Sequence, residues 1–338
     1  MDYSHLTYFD EYIKCMKKID IEPNKIHFFL EVTFYLFLFT FFVKKDKKSQ
    51  KERKMSKKKR DKILQNEKMI IDAFLFYNEF DLLEYRLELL YEYVDWFILV
   101  ESKVTFMGKE NEHCGKWKID IRYEKYRDKI ILVELEKLKY DNPDKNQVWE
   151  NEYFQRNSIN EGLQQIPNLQ NDDILIISDV DEIPNPYYIS LIKNGILKIY
   201  TVCSLEQDFY YYSLNFRKRI LWNFAKITNM HSYVHECQSV AQQCRYFQCR
   251  YKISRGGYHL SYFGDVEKIK NKIRNFSHQE YNNANYLDEK EIQKCLENGK
   301  DLFGRMGEDC EYVSILENPN LPPLYYKYLF SFFDKRLL

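Results

Sequence analysis

The sequence predicts an α/β protein with an open mixed sheet and flanking helices. Two observations carry this. Apolar runs of strand length at 69–77, 96–100, 129–135 and 172–178 alternate with stretches of helical spacing. Beyond them the period changes, and 199–216 alternates as strands do. Strands that alternate with helices build a parallel sheet, and the change of period adds a mixed half.

The elements follow in order. Residues 69–77 are largely apolar and aromatic and read as a strand. "NEFD" (78–81) breaks it, and Asp81 is expected to cap a helix. Leu82, Tyr85, Leu89 and Val94 recur near helical spacing, which gives a helix over 82–93. "WFILV" (96–100) is a second strand ending on Glu101. "KIILVEL" (129–135) is a third strand, 149–166 a helix and 172–178 a fourth strand. Residues 265–278 form a late helix with Asp265 as its N-cap.

Acids stand where three strands stop: Asn78–Glu79, Glu101, and Asp179 with Asp181. Ligands of open α/β sheets bind at the carboxyl ends of the strands, so these acids are expected to meet on one edge. In "ILIISDVDEIP" the like charges of Asp179, Asp181 and Glu182 repel unless something positive joins them. Carboxylates at i and i+2 past a strand turn toward one point where the chain bends. Such hard oxygens suit Mg²⁺ or Mn²⁺ shared with substrate phosphates. D-x-D alone is a weak pattern; its place after a buried strand strengthens it.

The N-terminal region differs from the body. Residues 1–25 read as a tail. Residues 26–43 are eighteen residues with one acid, Glu31, which reaches the shorter end of membrane-spanning length and predicts a single anchor. Residues 44–66 form a basic stem, with eleven Lys/Arg against two acids in 44–60. The remainder, 67–338, reads as the globular body. From residue 61 on there are 36 basic and 43 acidic side chains, a mildly acidic balance that argues against a nucleic-acid partner. Eight cysteines without a C-x-x-C pair are too sparse for a disulfide scaffold or a structural zinc site. His231, His235 and Cys237 lie close together, but no fourth ligand is spaced to join them.

Five blocks in order, "FLFYNEFDLLEYRLELL", "FILVESKVTFMGKE", "NEYFQRNSINEGL", "ILIISDVDEIPNP" and "GGYHLSYFG", resemble glycosyltransferase family 17 over about residues 67–285. The resemblance implies a GT-A fold, an inverting mechanism, a divalent metal (Mn²⁺ or Mg²⁺) and a UDP-GlcNAc donor. The implied acceptor is a β-linked mannose of glycoprotein N-glycans. Asp179 and Asp181 match the family's metal- and diphosphate-binding acids, and Glu182 is expected to orient their loop. His259, in the Gly-His block, stands where a further metal or diphosphate ligand is expected. Read from the residues alone, Gly256 and Gly257 let the backbone approach a ligand closely. Arg156 and Asn157 could reach phosphate or nucleotide, and Glu79 and Glu101 the uridine. An inverting transfer needs a general base. Asp265 is the first choice; Glu206, Asp208 and Glu236 stay open. "DFYYYSLNF" and "KRILWNF" supply aromatics able to stack on acceptor sugars.

The family implies a Golgi-lumenal body. The Lys/Arg excess after residue 43 favours the opposite orientation by the positive-inside rule. Asn275–Ser277, an N-x-S pattern, marks the topology if it is modified.

Overall fold

The structure is a computed structural model that describes residues 68–305 and 310–329. The expected tail, anchor and stem (1–25, 26–43 and 44–66) lie outside the described residues. Among the described residues no helix is long and apolar enough to cross a membrane. The chain divides into two units. One holds Lys68–Ile315 and Asn320–Phe333. The other takes in Met1–Glu67, Leu316–Pro319 and Asp334–Leu338, of which only residues 316–319 are described.

In the larger unit the first half runs β1 (Ile70–Leu75), α1 (Phe80–Leu90), β2 (Trp96–Ser102), β3 (Ile130–Leu135), α2 (Lys145–Asn157), α3 (Ile159–Leu163) and β4 (Ile174–Asp179). The next part runs β5 (Glu182–Pro184), α4 (Pro186–Lys193), β6 (Cys203–Tyr211), β7 (Ser213–Arg217) and β8 (Lys226–Asn229). Helices α5 (Met230–His235) and α6 (Ala241–Arg245), strand β9 (Tyr251–Ser261), helices α7 (Val266–Asn275) and α8 (Glu289–Asn298), strand β10 (Glu311–Tyr312) and helix α9 (Tyr325–Tyr328) complete it.

One ten-stranded mixed sheet results, in the order β10-β7-β6-β8-β4-β1-β2-β3, with β9 beside β6 and β5 beside β9. Strands β4, β1, β2 and β3 are parallel, and β8 runs antiparallel to β4. The centre of the sheet is covered on both faces, so β1 is apolar on both. Ile70 and Phe74 enter one core and Ile71, Ala73 and Leu75 the other. Asp72 is the exception, and the site depends on it.

Several boundaries differ from the sequence expectation for local reasons. The helix expected over 149–166 is two, α2 and α3, and α2 starts earlier because Asp144 and Gln147 form a capping box. The strand-rich stretch 199–216 is broken at Tyr212, whose φ is 68°. Asp81 does not cap α1; Glu79 holds that position, and Asp81 lies in the first turn facing Arg122 and Lys268. Asp265 does cap α7, accepting from the Lys268 amide at 2.8 Å.

The two glycines of β9 serve backbone packing, not a ligand. A Cβ at Gly257 would meet the Ile183 carbonyl oxygen at 2.4 Å, and one at Gly256 the Ile253 oxygen at 2.7 Å. The missing Cβ of Gly257 lets β5 close onto β9, where Glu182 pairs with His259, and that of Gly256 lets Leu205 of β6 come close.

Candidate active site

The turn that follows β4 is held from beneath. Arg86, on α1, is fully buried and grips Asp72 of β1 with Nε at 2.8 Å and Nη2 at 2.6 Å. Its Nη1 donates to the main-chain carbonyls of Asp179 (2.8 Å), Glu182 (3.1 Å) and Val180 (3.3 Å), and Nη2 to Ser178 Oγ (2.7 Å). One guanidinium thus uses its fixed fork to shape the D-x-D turn.

The acids of the turn face cations from other elements. Asp179 accepts from Arg156 of α2 at 2.6 Å and from Arg245 of α6 at 2.7 Å. Burial alone would raise the Asp179 pKa, but the two guanidinium charges outweigh it and hold the carboxyl well below its usual range. Glu182 accepts from both Arg245 Nη atoms at 2.7 Å, from Trp222 Nε1 at 2.5 Å and from the Asp179 amide at 3.0 Å. It therefore orients the loop and offers no open oxygen. Asp181 accepts from Lys272 of α7 at 3.0 Å. Burial draws the Lys272 pKa down, yet Asp181 and Glu79 drive it well above the ordinary value, so its ammonium stays charged.

These groups border a cavity of about 500 Å³ at the carboxyl ends of β1, β2 and β4. Glu79, Arg156, Asp179, Asp181, His259 and Lys272 all line it. Phe209, Tyr211, Trp222 and Phe224, from the two aromatic stretches, also line it, with Trp149, Tyr246 and Tyr281. Aromatic faces of this kind suit sugar rings.

A divalent ion fits part of this set. His259 stacks on Phe209 (4.5 Å between ring centres) and packs against Trp222 (4.3 Å), and those two rings touch each other at 5.2 Å. Burial pushes the His259 pKa down, which favours the neutral ring a metal requires. Among the described residues its buried Nδ1 has no hydrogen-bond partner. Its Nε2 lies 3.7 Å from Asp181 Oδ1, a span that one ion about 2.1 Å from each can bridge. Around the turn five carboxylates (Glu79, Glu152, Asp179, Asp181, Glu182) meet three cations (Arg156, Arg245, Lys272), leaving a surplus of two negative charges. Asp179 does not complete a three-ligand set, because arginine engages both of its oxygens.

Four candidate residues do not line the cavity: Glu182, which is buried, Glu101, Asn157 and Asp265. Glu101 is buried on the other side of β2, where Gly115 N (3.1 Å) and Trp117 Nε1 (3.2 Å) bond it. With Cys114 and Glu134 it forms a group of possible metal ligands, but Lys118 and Lys103 already pair Glu134. Asn157 accepts from the Gln242 amide at 3.0 Å and so ties α2 to α6. Asp265 is exposed and its carboxylate is used as a cap. The open alternatives also lie elsewhere: Glu206 bonds Ser254, Glu236 bonds Thr201, and Asp208 is buried beside the cavity without lining it. Ser277 is buried and bonded to Glu152 at 2.5 Å, and Asn275 lines the cavity, so the N-x-S pattern is not an open acceptor in the folded chain.

Sequence reasoning missed Arg86, Arg245 and Lys272, and gave Trp222 only as an aromatic of "KRILWNF", not as a partner of Glu182. Each is far in sequence from what it holds, and no local pattern announces it.

An acidic strand end clasped by arginines and opening on an aromatic cavity is the candidate site for the transfer chemistry of a glycosyltransferase. The chain belongs to glycosyltransferase family 17, whose sequence model matches residues 46–326. It is 30% identical over 117 residues to the rat (Rattus norvegicus) beta-1,4-mannosyl-glycoprotein 4-beta-N-acetylglucosaminyltransferase, a stretch of 34% of this chain and 21% of that protein. The human (Homo sapiens) protein of the same name matches at 30% over 117 residues, 34% of this chain and 22% of that one. The matched stretch thus spans about a fifth of those relatives' length. Among solved structures, 4-diphosphocytidyl-2C-methyl-D-erythritol synthase from Anaerococcus prevotii aligns at 12% identity with a TM-score of 0.33, covering 57% of this chain and 89% of that one. That likeness is too slight to bear on function.

Proposed function

We propose that the chain is an inverting GT-A glycosyltransferase that moves GlcNAc from UDP-GlcNAc to a mannose of glycoprotein N-glycans. On this reading it is anchored through residues 26–43, with its body in the Golgi lumen. The observation that supports it most is the surplus of negative charge around Asp181, beside a His259 whose Nε2 lies 3.7 Å from Asp181 Oδ1. Asp181 and His259 would hold Mn²⁺ or Mg²⁺, with substrate oxygens filling the other positions. The ion supplies positive charge to the leaving diphosphate.

The chain's own residues do the rest. Arg156 and Arg245 neutralise Asp179, so a diphosphate can enter beside it without like-charge repulsion. Lys272 presents a fixed ammonium at the same place. Arg86 keeps the turn from moving as charge shifts. The aromatics that line the cavity receive the acceptor and exclude water. The names of the rat and human relatives favour GlcNAc as the sugar and a mannose as acceptor.

The test is transfer by the full chain with Mn²⁺, using UDP-GlcNAc, UDP-Gal and UDP-Glc with a biantennary N-glycan, against Asp181→Ala. Metal-dependent turnover of UDP-GlcNAc that the variant lacks is expected. Turnover of another UDP-sugar alone would overturn the donor. Glycan binding without any turnover would favour an inactive glycan-binding protein.

A further inference from the structure

We propose that His278, oriented by Glu280, is the general base that takes the proton from the acceptor hydroxyl. The inference rests on the inverting transferase reading above. With Asp265 exposed and capping α7, the base must be sought among groups that line the cavity.

Six carboxylates and imidazoles line it among the described residues: Glu79, Glu152, Asp179, Asp181, His259 and His278. Asp179 and Asp181 are each bonded by Arg or Lys at 3.0 Å or less, so both are engaged on the donor side. Glu152 is fixed between Arg156 (2.8 Å) and Ser277 (2.5 Å). Glu79 lies 3.8 Å from the same Lys272 that bonds Asp181, so it belongs to the diphosphate side. An inverting displacement needs its base on the opposite face of the sugar. His259 is buried against Phe209 and Trp222, with its Nε2 3.7 Å from Asp181 Oδ1 on the donor side. His278 remains.

Its setting fits the task. His278 Nδ1 lies 2.6 Å from Glu280 Oε1, the arrangement in which a carboxylate fixes the tautomer with the proton on Nδ1. Nε2 is then the basic nitrogen, and no hydrogen bond engages it among the described residues. The side chain is 41% exposed, so an acceptor can reach it. Trp149 meets its ring edge-on at 4.6 Å between centres, and Phe276 and Tyr281 stand beside it, giving apolar walls for a sugar.

Its position relative to the donor acids is fixed by a chain of bonds. Asp179 is held by Arg156, Arg156 by Glu152, and Glu152 by Ser277, the residue before His278. Other charged groups also face the pair. Lys145, from the start of α2, acts on Glu280, and Arg305 with Asp301 acts on Tyr281.

In the step, Nε2 takes the hydroxyl proton while the acceptor oxygen bonds to the anomeric carbon with its electron pair. The bond from that carbon to the diphosphate oxygen breaks, and the diphosphate leaves with the pair. The imidazolium rests beside the Glu280 carboxylate until it loses the proton to water.

The experiment compares the full chain with His278→Gln, His278→Gly and Glu280→Gln, reading kcat against pH and UDP binding by calorimetry. His278→Gln should lower kcat by about 10²–10⁴-fold, the usual span for losing a general base. UDP affinity should change by less than about twofold, and the acid limb of the pH profile should vanish. Added imidazole should restore part of the His278→Gly rate. Glu280→Gln should cost about tenfold, the lesser loss expected when only the orienting group goes. If His278→Gln keeps kcat within about threefold of wild type, or if UDP binding falls as far as kcat and imidazole restores nothing, the assignment is overturned. Absence of transfer by the wild-type chain would instead overturn the donor reading on which it rests.

Discussion

The guanidinium of Arg86 donates to the main-chain carbonyl of Asp179 at 2.8 Å, although the two residues are 93 apart in sequence. The same group holds Asp72 with both charges fully buried. Arg86→Met leaves that carboxylate alone in the core, and breaking such a pair costs about 3–5 kcal/mol. Chemical denaturation should read that loss. The double variant Asp72→Leu/Arg86→Met removes both charges and should regain most of the stability. Its transfer rate should stay low, because the carbonyls of the turn remain unheld. A double variant that recovers stability and activity together would show that Arg86 serves the fold alone.

Gly257 admits a second test. Its missing Cβ lets the Ile183 oxygen and Gln207 pass within 2.4 and 2.7 Å of that point. Gly257→Ala must part β5 from β9, or β6 from β9, and overpacking of this kind costs about 1–3 kcal/mol. The register then shifts where Glu182 faces His259. Activity should fall further than the stability loss alone explains, as judged by rates measured well below the unfolding midpoint. Full activity at that temperature would mean the turn tolerates the shift.

These two residues mark the limit of what the sequence discloses. Strand and helix periods made the first α/β half legible, and the acid after β4 did mark an edge of the sheet. Glu101 carried the same local signal with a different outcome. Strand β2 runs two residues past its apolar block, and alternation turns Ser102 to the cavity and Glu101 away from it. Asp265 was legible as a cap, but capping uses the oxygen that a base would need. Arg86, Arg245 and Lys272 act across 63 to 96 residues, and pairings at that range follow from topology, which local pattern does not encode.

The acid limit of stability should carry a signature of Asp301. Its carboxylate is buried against Lys218 at 3.0 Å and Arg305 at 2.6 Å. Burial raises its pKa, but the bonds from Arg305 and Lys218 prevail and the net shift is downward. A depressed folded pKa means the unfolded chain takes up the proton first as pH falls. The contribution is therefore whole above about pH 4, the ordinary Asp value, and is lost as pH drops through the lower folded value. Asp301→Asn should be less stable than wild type at pH 7, and the gap should narrow below pH 4. Denaturation midpoints across pH 2 to 8 check this; a constant gap would remove Asp301 from the acid transition.

Lys272 sits where a divalent ion would compete with it. Its Nζ is 3.0 Å from Asp181 Oδ2 and 3.8 Å from Glu79 Oε1. A unit charge at such a range is worth about 4 kcal/mol at an effective dielectric near 20, before salt screening. Lys272→Met therefore leaves Asp181 more negative, and Mn²⁺ should half-saturate the enzyme at a concentration about tenfold lower or less, since each tenfold corresponds to about 1.4 kcal/mol. The maximal rate should move the other way, because the departing diphosphate loses an ammonium that the ion does not replace. Lys272→Arg keeps the charge and should keep the metal requirement near that of wild type. Titrating transfer with Mn²⁺ after chelation separates the two effects. If Lys272→Met needed more metal than wild type, the lysine would be supporting the ion's site, not sharing its carboxylate, and the charge balance drawn around Asp181 would have to be reversed.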